Sequence, residues 1–140
     1  MMEPSRLLIT LAGLLGAVAV AMGAYAAHGM AETFGPEAAH RAALGAQYQL
    51  PHAVALFVSG FVAPGLARGR VALAAGVLFT LGAILFPGAL YLLAFGGPGI
   101  LGIIAPIGGL CLIAGWLMLA IAGLGGRHAA PKGKGDQFPH

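Results

Sequence analysis

Charge is what this 140-residue sequence has least of: seven Lys and Arg and four Asp and Glu make up 8% of it, against 59% hydrophobic residues. Soluble domains carry about 25% charged residues. So few charges cannot cover a globule in water, and a mean hydropathy of +0.93 points to lipid as the solvent. The four acids, Glu3, Glu32, Glu37 and Asp136, all lie outside the long apolar runs, which excludes paired-carboxylate chemistry inside them. Cys111 is the single cysteine, so no intramolecular disulfide can form and the residue reads as a small packing group. No phosphate-binding loop, nucleophile elbow or HExxH segment occurs. Acid–base work would fall to His and Tyr alone, and the sequence reads as non-enzymatic. The net charge of +3 does not indicate nucleic acid, because the basic residues sit singly at the ends of apolar blocks and form no patch with interleaved aromatics.

What is present is four apolar blocks, at about 7–27, 42–66, 71–95 and 100–124, all free of charge. At 1.5 Å per residue each is about 31 Å or longer, enough to cross the hydrocarbon core. The expected fold is therefore all-α, a four-helix transmembrane bundle over residues 1–125 followed by a flexible tail over 126–140, rich in Gly, Pro and Lys. Twenty-four glycines would burden a soluble helical protein, but between membrane helices small residues let backbones approach. On the first block Ala12, Gly16, Ala19, Gly23 and Ala27 recur at spacings of three and four and make one smooth ridge. That block also mimics a signal peptide ending at Ala24-Tyr25-Ala26, though it is longer than the usual apolar core of one and reads better as a span.

Orientation follows from the basic residues. Arg6, Arg68, Arg70, Arg127, Lys132 and Lys134 lie on the amino-terminal side of the blocks, and only Arg41 lies on the other. The positive-inside rule then places both termini in the cytoplasm. In the outer connector, Gly35-Pro36-Glu37 puts Pro at the first helical position with an acid in the first turn, and Glu37 can pair with Arg41. Pro51, Pro87 and Pro106 fall inside the second, third and fourth blocks, where each should kink its helix and free a carbonyl.

Polar side chains within the blocks are few. His28, Tyr48, Gln49, His52 and Tyr91 fall together in the outer half on this topology and form the candidate polar cluster. An imidazole at membrane depth is a functional candidate by default. Structural glue between helices competes with that reading, as do a ligand or proton site and, least supported, a bis-His haem between His28 and His52. Two histidines with no cysteine or carboxylate at ligand spacing are too few for zinc, and no metal or cofactor is expected. His28 beside Gly29 is expected to cap the first helix, with Gly29 left-handed. Trp116 lies too deep for an interfacial belt and reads as a packing residue.

The run Gly23-Ala24-Tyr25-Ala26-Ala27-His28-Gly29 resembles the GAFGAHG signature of the small YgdD-like inner-membrane proteins, a family of unknown function. The resemblance continues in order through Tyr48-Gln49, His52-Ala53, Phe86, Gly88, Leu90 and Tyr91, then Pro106-Ile107-Gly108-Gly109 and Gly115-Trp116. It covers about residues 5 to 125. Pro87 replaces a serine of the family pattern and Ala105 a threonine, which removes two hydroxyls from the candidate cluster. The resemblance implies a fold and a membrane location but no activity. The expected role is a structural, accessory or interaction protein of the lipid bilayer, as a homo-oligomer or with a membrane-protein partner. The alternative is a small transporter or proton-linked carrier working through the His/Gln/Tyr cluster.

Overall fold

A computed structural model describes residues 3–126 of the chain. Five helices carry these residues: α1 (Pro4–His28), α2 (Met30–Phe34), α3 (Pro36–Val62), α4 (Gly69–Ala94) and α5 (Leu101–Gly123), with a 3₁₀ turn at Ala63–Gly65. Three of them, α1, α4 and α5, are long and apolar enough to cross a membrane. Of the four apolar spans expected from sequence, three are matched by these helices. The second, at about 42–66, lies within α3, which is long but loses hydropathy to Gln47, Tyr48, Gln49 and His52. The helices run unbroken through Pro51, Pro87 and Pro106. The tail from 127 onward lies outside the described residues.

Each helix starts and stops for a local reason. Pro4 and Pro36 open α1 and α3, where a missing N–H costs nothing. Gly35 precedes Pro36 at φ 89°, and Glu37 pairs with Arg41 one turn on. Helix α4 ends in a Schellman turn: Gly96 at φ 84° donates to the Leu93 carbonyl, and Gly97 to that of Leu92 at 2.8 Å. Gly29 departs from expectation. It sits at φ −150°, not in the left-handed region, and the chain continues into α2. The cause is Met30, fully buried among Ala26, Ala38, Ala42, Tyr91 and Ala94. Burying it draws the chain back onto the bundle, and the reversal is postponed to Gly35.

Helices α1, α3 and α4 pack as a triangle, and α5 packs along α4 with Trp116 reaching His52 of α3. The ridge on α1 meets α3 as the small residues imply: a β-carbon on Gly23 would stand 3.4 Å from that of Ala46, and one on Gly16 4.0 Å from that of Ala53. Leu8 reaches across to Gly76 and closes the triangle. On α4 and α5, the Phe79 ring lies over Gly115, while Gly108 faces the Leu85–Phe86 backbone directly. One apolar cluster forms around Leu8, Leu56, Phe79 and Leu112, and another around Met30, Ala42 and Tyr91. Outside the triangle, large apolar side chains such as Leu14, Val20, Phe61, Ile103 and Leu110 stand exposed, as suits a lipid solvent.

Basic residues gather at one end. Arg6, Arg68 and Arg70 lie there with residue 126, since Ala67 donates to the Gly126 carbonyl at 3.0 Å and Arg68 to that of Ile121 at 3.4 Å. Arg41 lies at the other end with Glu32 and Glu37.

The paired glycines of α5 give a direct check on the α4–α5 contact. A β-carbon on Gly108 would lie 2.9 Å from the Leu85 carbonyl carbon, whereas one on Gly109 meets nothing within 4 Å. Gly108→Ala should therefore cost about 1–3 kcal/mol by overpacking, and Gly109→Ala should be neutral or slightly stabilising. Unfolding in mixed micelles compares the two; equal effects would contradict the close approach.

Candidate functional site

The buried face of α3 is a stripe at helical spacing, Ala42, Gly45, Ala46, Gln49, Ala53, Leu56 and Gly60. Gln49 is its one amide, 2% exposed, between the two apolar clusters. An amide held there must find partners, because a buried unpaired polar group costs about 1–3 kcal/mol. It finds two. Nε2 donates to the Leu15 carbonyl of α1 at 3.0 Å, and Oε1 accepts from the Tyr91 hydroxyl of α4 at 2.6 Å. The orientation is unambiguous, since a carbonyl can only accept. Gly45 makes the second bond possible: a β-carbon there would lie 2.6 Å from Cε1 of the Tyr91 ring. Leu15 stands near the middle of the 25-residue α1, so Gln49 lies at mid-depth of the bundle.

The anticipated cluster divides at α3. Gln49 and Tyr91 face the triangle, while Tyr48 and His52 face α5. His52 Nδ1 donates to the Tyr48 carbonyl at 2.6 Å. Pro51 removes the amide that would have bonded the Gln47 carbonyl, so the imidazole serves the neighbouring carbonyl and not the freed one. The neutral ring is thereby the Nδ1–H tautomer, with Nε2 a lone-pair acceptor. Tyr48 stacks nearly parallel to the ring at a centroid distance of 6.4 Å. Trp116 of α5 approaches edge-on at 6.1 Å and also packs on Phe79 at 5.2 Å, the packing role expected of it. These rings, with Phe86, Gly109, Leu112 and Ile113, line a cleft of about 260 Å³ between α3 and α5.

His28 joins neither half. It is exposed at the end of α1, and its ring makes no hydrogen bond among the described residues, so neither the cap nor a lid over the cluster is formed. The cap is taken by a backbone bond from Gly29 to the Tyr25 carbonyl. Ala42 packs near the end of α1 in the same cluster as Ala26 and Met30, and about 15 Å of helix separates it from His52. The two imidazoles cannot share an iron. Among the described residues no group of three His, Cys, Asp or Glu could hold a metal ion. Ser59 and Thr80 bond carbonyls of their own helices, at Ala55 and Gly76.

Sequence patterns left two contributors unseen. The Leu15 carbonyl carries no side-chain signal, and Phe79 looks like any apolar residue of a span.

Mutational coupling should separate the tie from the bystander. Each interhelical bond is worth about 0.6–1.7 kcal/mol in a membrane protein. Gln49→Leu should destabilise more than Tyr91→Phe, and the double variant should be non-additive. His28→Asn should change stability by less than about 0.5 kcal/mol and add independently to His52→Ala. A double-mutant cycle by reversible unfolding in mixed micelles reads all of these, and additivity of Gln49 with Tyr91 would remove the tie.

Comparison with known proteins finds relatives named as membrane proteins. The family model described as "Protein of unknown function (DUF423)" matches residues 22–109. The UPF0382 membrane protein YwdK of Bacillus subtilis is 35% identical over 117 residues, 84% of this chain and 95% of its own. A UPF0382 membrane protein of Staphylococcus haemolyticus is 38% identical over 117 residues, 84% and 94% of the two chains. The UPF0382 inner membrane protein YgdD of Escherichia coli is 29% identical over 126 residues, 86% and 91% of the two. No solved structure matches. With its apolar helices, its outward-facing apolar side chains and these relatives, the chain belongs to the UPF0382 (DUF423) family of membrane proteins, the YgdD-like group.

Proposed function

We propose that this is a four-span, non-enzymatic membrane protein of structural or accessory type, working through association with itself or with another membrane protein. The observation that carries the proposal is the Gln49 amide, whose nitrogen and oxygen each bond another helix and so join α1, α3 and α4. The polar group set deepest in the triangle is engaged in assembly. The carrier alternative gains no support from this geometry, because Gln49–Tyr91 and Tyr48–His52 lie on different sides of α3. Acidic side chains are missing from α1, α4 and α5, and those of α2 and α3 lie in their first turns, which leaves general acid–base chemistry without a carboxylate inside the bundle.

In this reading α3 is the fourth span, bent at Pro51, as α4 and α5 are at Pro87 and Pro106. Its 27 residues extend for about 40 Å between α1 and α4. Gln49 is hidden on its inner side, while Leu50, Val54, Phe57 and Phe61 stand exposed on its outer side. Residues 1–125 act as one membrane domain and the remainder as a cytoplasmic tail. The basic end, with Arg6, Arg68 and Arg70, faces the cytoplasm of the plasma membrane, and the positive-inside rule supports that choice.

Two measurements test the proposal. Cysteines placed at Glu37 and Arg70 should be labelled from opposite faces of the membrane; labelling from one face would overturn four spans. Cross-linking of the full chain in native membranes should trap one discrete homomeric or heteromeric species. A strictly monomeric protein, or proteoliposome ion flux abolished by His52→Ala and not by Trp116→Phe, would overturn the accessory role.

A further inference from the structure

Three residues of the cleft between α3 and α5 carry polar groups without a hydrogen-bond partner among the described residues. His52 Nδ1 is committed to the Tyr48 carbonyl, which leaves Nε2, on the opposite edge of the ring, a bare acceptor. Among the described residues Nε2, the Tyr48 hydroxyl and the Trp116 indole N–H have no hydrogen-bond partner. All three residues line the same cleft, with Phe86, Leu112 and Ile113 as its apolar walls. His52 stands in the middle of the row, 6.4 Å from Tyr48 and 6.1 Å from Trp116 between ring centroids. In water such groups would be hydrated. With α3 as the fourth span proposed above, the cleft lies within the bilayer, where there is no water to do it and an unpaired donor or acceptor is costly.

We infer that this cleft binds the hydroxylated aromatic head of a lipid-soluble molecule, a phenol or quinol ring carried on an apolar tail. A hydroxyl can donate to His52 Nε2 while its oxygen accepts from the indole or the tyrosine, so one group on the ligand satisfies both kinds of orphan. The volume sets the size. About 260 Å³ exceeds the roughly 150 Å³ that encloses one benzene and falls short of the 300–1,000 Å³ of whole-ligand pockets. It takes a substituted ring whose tail remains among the lipid chains. The walls set the class. No Lys or Arg lines the cleft, so an anionic phosphate head has no counter-charge, while Tyr48, Phe86 and Trp116 offer faces and edges to an aromatic ring. Gly109 keeps the α5 side open, since a β-carbon there meets nothing within 4 Å. Binding of this kind goes beyond the accessory role and does not depend on it.

The test uses a built-in reporter, because Trp116 is the one tryptophan of the chain. Full-length protein in nanodiscs is titrated with decylhydroquinone, with decylbenzene and with decanol, and Trp116 emission is followed. Decylhydroquinone should give a saturable change at least tenfold tighter than either control. His52→Phe, which keeps a ring and removes Nε2, should weaken it about tenfold, and Gly109→Leu, which fills the cleft from an open position, should abolish it. Both variants should retain the thermal midpoint of the parent, which separates lost binding from lost fold. An equal response to decylbenzene would show partition into lipid and overturn the site. An equal response to decanol would overturn the aromatic class, and an undiminished response in Gly109→Leu would place binding elsewhere. None of these outcomes touches cross-linking, so this site and the accessory role stand or fall separately, while the sidedness measurement tests on its own the spanning α3 on which the site rests.

Discussion

A primary amide removed from water cannot be left half bonded, and that constraint organises the middle of this protein. Gln49 has to meet one acceptor and one donor at once, and the nearest of each lie on different helices. The Leu15 carbonyl fixes how deep α3 sits against α1. The Tyr91 hydroxyl fixes how α4 is rotated, because the ring has to pass over Gly45 to arrive. Sliding any of the three helices by one turn would strand the amide. Apolar packing alone tolerates such slips, since the inner faces are largely Ala and Gly and present little relief.

Around that point, the small residues decide how near the backbones come. Without a solvent-driven force between helices, association in lipid rests on close contact, and each missing side chain is an opportunity for it. Gly60 approaches the Ser5 carbonyl, Gly76 receives Leu8, and Gly115 receives Phe79. The large side chains are used the other way, one per gap: Phe79, Leu56 and Met30 are each fully buried. Between α3 and α5 this economy lapses, and aromatic rings prop the helices apart around a cleft.

Much of this was legible in the residues. The apolar blocks marked α1, α4 and α5 to within a few positions, because hydropathy over twenty residues is a strong signal. Pro36 and Glu37 marked the start of α3, and the α1 ridge marked its contact face. Among the polar residues, Gln49 and Tyr91 were named together, but position along a helix does not say which face a residue takes relative to its neighbours. Tyr48 and Gln49 are adjacent in sequence, about 100° apart around the helix, and meet different neighbours. Gly29 misled for a different reason: its conformation is dictated by the burial of Met30, a long-range demand that no local pattern carries. The partner of Gln49 on α1 was unreadable in principle, since every residue offers the same carbonyl.

Helix α5 makes its packing on α4, and its end is secured by Arg68 and Ala67, yet neither Leu15, Gln49 nor Tyr91 belongs to it. All three members of the central tie therefore leave the ribosome before α5 does. The triangle can close during synthesis, while the last span is still to be threaded, and the polar amide need not wait unpaired in the bilayer for the chain to finish. What α5 then meets is a preformed surface, with the Phe79 ring and Gly82 presented as its template.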